Sequence, residues 1–186
     1  MPTPSTVKIK VLPYLKKYMI AHSVNEQMPV YFENHHWFYL RLLPYIEKYN
    51  RTKKKLYPDD LMSFPNSNYI DLEIIIPYYS DKYNLRHKNY ISIKNATKFN
   101  KEVKTIFYAD LVTYLNDFKA KNASLRNFAI DIFLMYFDIN EDDVNYDTIY
   151  RQMTRVFSSP LKYEDVKTNI KRRASKIIND LMVNKC

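Results

Sequence analysis

Valines and isoleucines alternate with lysines in "VKIKV", where Val7, Ile9 and Val11 share one side and Lys8 and Lys10 the other. That period of two is the mark of a half-buried strand. Pro13 ends it and suits the first turn of a helix over residues 14–22. "MPVYFE" is expected to be extended. "HHWFYLRLLPYIEKYN" then reads as a helix, and Pro44 inside it predicts a kink or a break into two segments. "RTKKKLYPDDLMSFPNSN" is a polar, proline-punctuated loop. In "YIDLEIIIP", Ile70, Leu72, Ile74 and Ile76 face away from Asp71 and Glu73, a second strand that Pro77 stops. "YYSDKYNLRHK" leads to a further strand, "NYISI", which is expected to pair antiparallel with it, the first strand making a third partner.

From residue 95 the period changes to that of a helix. Phe99, Val103, Ile106, Phe107, Leu111, Tyr114, Leu115 and Phe118 recur at three and four, which predicts one long helix over residues 95–118. "KAKNAS" breaks it, and Ser124 is placed to cap the next helix, whose stripe is Ile130, Phe133, Leu134 and Phe137. "DINEDDVN" turns the chain, Asn145 is placed to cap a helix ending at Phe157, and "SSP" stops that one. A last helix is expected over residues 163–183, on Val166, Ile170, Ala174, Ile177, Ile178 and Leu181. The class is therefore α+β: a small antiparallel N-terminal sheet of two or three strands with helices, then a mainly helical C-terminal half. Residues 1–120 are expected to form the scaffold and to carry a dimerisation surface. Residues 121–186 form the helical region, either separate or part of the same compact domain.

Composition narrows the chemistry. The chain of 186 residues contains no glycine. Loops that cradle phosphates rely on glycine for left-handed backbone and close approach, so neither a P-loop nor a dinucleotide fingerprint is present. Helix ends and turns must fall to Asn and Asp, which tolerate positive φ best after glycine. There are 18 tyrosines. Abundant Lys, Asn, Ile and Tyr without Gly is also what AT-rich coding sequence gives, and it points to a phage or mobile element. Net charge is +9, spread along the chain rather than gathered in a tail, and suits a polyanionic partner.

The sole cysteine, Cys186, allows no disulfide within the chain, as in a reducing cytoplasm. No apolar run reaches the roughly 18 residues of a membrane span, and "MPTPSTVKIKV" lacks a signal-peptide core. A cytoplasmic protein without membrane attachment is expected.

Catalytic patterns are missing. His22, His35, His36 and His87 have no metal-ligand spacing, and adjacent residues such as His35 and His36 point about 100° apart on a helix. Glu141, Asp142 and Asp143 lack the alternation and the glycine of a calcium loop. A solvated turn beside a helix N-terminus accounts for them. No serine lies in a strained elbow, and Cys186 has no fixed base. No enzyme activity, cofactor, metal or small-molecule substrate is expected.

What is left is recognition. In a helix-turn-helix the second helix enters the major groove. Here that helix carries Thr148, Arg151, Gln152, Thr154 and Arg155 opposite an apolar side of Tyr146, Ile149, Tyr150, Met153, Val156 and Phe157. Arg suits guanine, Gln suits adenine, and Thr suits a thymine methyl. Thr148, Arg151, Gln152 and Arg155 are the candidate base contacts, with Lys167, Lys171, Arg172 and Lys176 for phosphate. Against this, every surface helix has a polar side, Asp147 repels phosphate, and the turn exceeds the usual three or four residues.

"VKIKVLPYLKKYMI", "DLEIIIPYYSDKYNLRHKNYISI" and "FAIDIFLMYFDINEDDVNYDTIYRQMTR" together resemble small basic proteins of phages and mobile elements of the Bacteroidetes. The last stretch also resembles the C-terminal helix-turn-helix of phage middle-operon activators. That second resemblance implies a regulator that binds double-stranded DNA as a homo-oligomer. The alternative is a virion connector or another interaction protein without catalytic activity, with "HHWFYLRLL" as an aromatic contact patch.

Overall fold

The computed structural model describes residues 5–48, 68–76, 88–118 and 122–157. The chain divides into two compact units, Met1–Phe107 and Tyr108–Cys186. The division falls inside the long helix, whereas the sequence suggests a boundary at the break after residue 120. Early turns of that helix complete the first core, which is why it is shared. The class is α+β, with a two-stranded antiparallel N-terminal sheet and a mostly helical C-terminal half.

In the first unit, β1 (Ser5–Val11) pairs antiparallel with β3 (Ile70–Ile76), the intervening β2 being Glu47–Lys48. The register sets Val7 against Ile74 and Ile9 against Leu72, and all four are buried. On the other face Lys8 meets Glu73 at 2.8 Å and Lys10 meets Asp71 at 3.0 Å. Each alternation fixes its own strand, and the opposed charges favour the same register. At the other edge of β3, Val30 makes a parallel bridge to Ile74, so "MPVYFE" does supply extended backbone.

Helix α1 (Pro13–Ala21) opens on Pro13 and buries Tyr14, Leu15, Tyr18 and Met19. Its N-cap, Leu12, has no capping side chain. Asn100 compensates from the long helix. Its Oδ1 accepts from Leu12 N (3.1 Å), and its Nδ2 donates to the carbonyls of Lys10 and Ala96 (both 2.8 Å). A buried amide is tolerated only when satisfied in this way.

Two expectations are corrected in this unit. The helix from His35 does not continue to residue 50: α2 is Trp37–Leu42, Leu43–Tyr45 is a 3₁₀ turn, and Ile46 is extended. Pro44 offers no N–H to continue the helix, and the chain enters β2 instead. "NYISI" does not pair with β3. Only β4 (Lys88–Tyr90) is strand, and it pairs with β2. The edge of β3 is met by Val30 instead, and Ser92 already serves the next helix, its Oγ accepting from Asn95 N (3.4 Å).

That helix, α3, runs Ile93–Asp117, close to the expected span. Within the first unit it buries Ala96, Phe99, Val103 and Phe107. Phe107 takes the rings of Tyr14 and Tyr18 edge-on at 5.2 and 5.3 Å.

In the second unit, Leu111, Val112 and Leu115 of α3 are buried, as are Ala129, Ile130, Phe133 and Leu134 of α4 (Ala123–Tyr136). Helix α5 is Tyr146–Phe157. Ser124 is not the cap of α4. Asn122 holds that place, its side chain accepting from Leu125 N at 2.8 Å, and Ser124 lies exposed in the first turn. The expected helix over residues 163–183 lies outside the described residues.

Candidate nucleic-acid interface

The connection between α4 and α5 is a defined turn of residues 137–145. Asp138 adopts φ 53°, in the left-handed region that glycine would fill in an ordinary sequence. Asp138 N donates to Met135 O (3.0 Å) and Ile139 N to Leu134 O (2.9 Å), the pattern of a Schellman cap. Leu134 and Ile139 are both buried, supplying the apolar pair that accompanies such a cap.

A second closure follows. Asn140 N donates to Asp143 Oδ2 (3.0 Å), while Asn140 Oδ1 accepts from the backbone of Asp142 and Asp143 (3.2 Å each). The acidic run is thus bound up in the turn's own backbone. Among the described residues no group of three or more His, Cys, Asp or Glu side chains is arranged to hold a metal ion.

The rotation of α5 is fixed by its inner face. Ile149 and Met153 are buried. The Tyr146 hydroxyl donates to Ile139 O at 2.6 Å, and the Tyr150 hydroxyl donates to Asp131 Oδ1 of α4. Desolvation, and then the Asp131 carboxylate, raise the pKa of Tyr150 above its usual range and keep the hydroxyl a donor. The polar side is consequently outward: Thr148, Arg151, Thr154 and Arg155 are exposed, as is Asp147. Gln152, assigned with them, is half-buried. Thr148, Arg151 and Arg155 recur at three and four and so share a face.

Other features fit a groove-reading unit less well. Residues 122–157 carry six carboxylates (Asp131, Asp138, Glu141, Asp142, Asp143 and Asp147) against the three cations Arg126, Arg151 and Arg155. Arg126 lies over the Phe157 ring at 5.3 Å. The outward side of α4, which would cross phosphates in a helix-turn-helix, is apolar. Leu125, Phe128, Met135 and Tyr136 are 43, 58, 71 and 80% exposed. The proposed phosphate contacts Lys167, Lys171, Arg172 and Lys176 lie outside the described residues.

One basic surface escapes a reading directed at α5. On α3, Lys94, Lys98, Lys101 and Lys104 are all exposed, and Glu102 is the only carboxylate in the first fifteen residues of that helix. Glu102 is engaged elsewhere, its Oε1 accepting from the Tyr45 hydroxyl at 2.7 Å. Burial and this carboxylate push the Tyr45 pKa up to about 12. The signal was present in sequence: Lys94, Lys98 and Lys101 follow the same three-and-four spacing as the core stripe on the opposite side.

No described helix is long and apolar enough to cross a membrane. Comparison with protein-family models, with curated proteins and with solved structures gives no match to the chain.

Proposed function

We propose that the protein is a non-catalytic regulator of a phage or mobile element that binds double-stranded DNA in the bacterial cytoplasm. In this reading it acts as a homo-oligomer and places α5 in the major groove. Thr148, Arg151, Gln152 and Arg155 approach base edges, and Lys167, Lys171, Arg172 and Lys176 neutralise phosphates. The observation that carries the reading is the locked rotation of α5. With Ile149 and Met153 buried and Tyr150 tied to Asp131, two arginines and a threonine project together from a pre-set face. A guanidinium is a planar fork that matches a guanine edge, and the set rotation of the helix places both forks on one side. The test is duplex binding at low salt by the intact chain and by Arg151→Ala/Arg155→Ala, the double variant losing affinity and sequence preference.

A second reading, an interaction or virion-assembly protein, is supported by the apolar outward side of α4 and the acidic balance of residues 122–157. Under it, duplex DNA is ignored and Phe128→Ser/Met135→Ser changes the oligomeric state of the purified protein.

A further inference from the structure

We infer that the exposed lysine face of α3, built by Lys94, Lys98 and Lys101 with Lys104 at its edge, is a contact surface for the phosphate backbone of double-stranded DNA. This rests on the nucleic-acid reading above but uses a different helix and a different kind of contact. The three central lysines succeed one another at four and three residues, so they stand in a row over about 10 Å of helix axis. None of the three forms an ion pair among the described residues. Neighbours of like charge at this spacing destabilise an isolated helix, a cost that an anionic partner removes.

The chemistry of the partner follows from what surrounds the row. Thr97 and Thr105 flank it, and none of the large hydrophobic side chains exposed on the described surface belongs to α3. A helix that embeds in a lipid surface buries apolar or aromatic residues beside its lysines, and this face has none. A duplex needs only charge in register with a regular line of phosphates, and cations without base-reading side chains give position rather than sequence preference.

The experiment is the salt dependence of binding to a short mixed-sequence duplex, measured by fluorescence anisotropy. The full chain is compared with Lys94→Gln/Lys98→Gln/Lys101→Gln, with the matching triple Lys→Arg variant, and with Lys8→Gln/Lys10→Gln. Each phosphate contact contributes about 0.9 to the slope of log affinity against log salt, so the triple Gln variant should lower the slope by about 2 to 3. The Arg variant should retain the slope, and the β1 control, whose lysines face Glu73 and Asp71, should barely change it. Sequence preference should survive in all of them.

A slope unchanged in the triple Gln variant overturns the inference while leaving DNA binding through α5 intact. An equal fall in the β1 control overturns it too, since bulk charge would then suffice. Loss of binding to phosphatidylserine vesicles with no change on the duplex assigns the face to a membrane and overturns it. If the wild-type chain ignores the duplex at low salt, this inference and the proposed function fail together.

Discussion

The Tyr150 hydroxyl donates to the Asp131 carboxylate, binding the middle of α5 to the middle of α4 on the side opposite Arg151 and Arg155. A single bond thus helps determine which way two arginines point. Tyr150→Phe should cost at most about 1 kcal/mol, because the pair is only partly buried. The pKa of Tyr150 is raised in the folded chain, so its contribution is fully present below about pH 10 and is lost as pH rises through the higher folded value. Urea melts at neutral pH and near pH 11 should show a steeper alkaline loss in the wild type than in Tyr150→Phe.

The inner and outer sides of α5 make opposite demands on substitution. Ile149→Ala and Met153→Ala remove buried side chains and should each cost about 2 to 4 kcal/mol. Thr148→Ala, Arg151→Ala and Arg155→Ala change exposed positions and should stay within about 0.5 kcal/mol of the wild type. Chemical denaturation distinguishes the two sets. A reversed ranking would mean that α5 is rotated.

Asn100 holds the corner between β1 and α1. Replacing it with Ala leaves Leu12 N and the Lys10 carbonyl, both in a part-buried corner, without their partner. A loss of about 2 to 3 kcal/mol is expected. Asn100→Asp should not rescue it, because a carboxylate accepts from Leu12 N yet has no donor for Lys10 O.

A pH response is built into the start of α2. His36 caps that helix, its Nδ1 accepting from Phe38 N at 3.3 Å. Protonation must occur at Nδ1 and abolish the acceptor. Burial, with His22 nearby, lowers the His36 pKa; Glu33 opposes the shift and His35 adds to it. The folded value lies below the unfolded one, so the cap's contribution is present above about pH 6.5 and is lost as pH falls through the lowered value. His36→Asn caps without titrating. Melts at about pH 7.5 and 5 should show an acid loss of about 1 kcal/mol in the wild type that this variant lacks.

How much of this was legible beforehand depends on how local each cause is. The alternation in "VKIKV" and "YIDLEIII" is local, and both strands appear where it puts them. The pairing of β4 depends on Glu47 and Lys48, far away in sequence, and no pattern within "NYISI" announces it. The break at Pro44 follows from the ring chemistry of proline, but the strand after it depends on that same distant partner. The absence of glycine leaves left-handed positions to other residues: Asp138 takes the one that ends α4, as expected, whereas Glu26, at φ 48°, takes another against the expectation of Asp or Asn. Asn122 and Ser124 are both good caps by type, so type alone does not choose between them. Asn100 reads in sequence as a poor helix former, and only the corner it fills gives the reason for an amide there. For the candidate interface, the helical period did identify which side of α5 is outward, apart from Gln152. The lysine face of α3 keeps the same period, but the apolar stripe of that helix dominates its pattern.

Duplex binding by the 186-residue chain as a function of salt, with Arg151→Ala/Arg155→Ala measured alongside, decides whether α5 reads DNA. The proposed function requires binding at low salt that weakens steeply toward physiological salt, and loss of sequence preference in the double variant while its stability stays within about 0.5 kcal/mol. Failure of the wild-type chain to bind duplex DNA at low salt would contradict it.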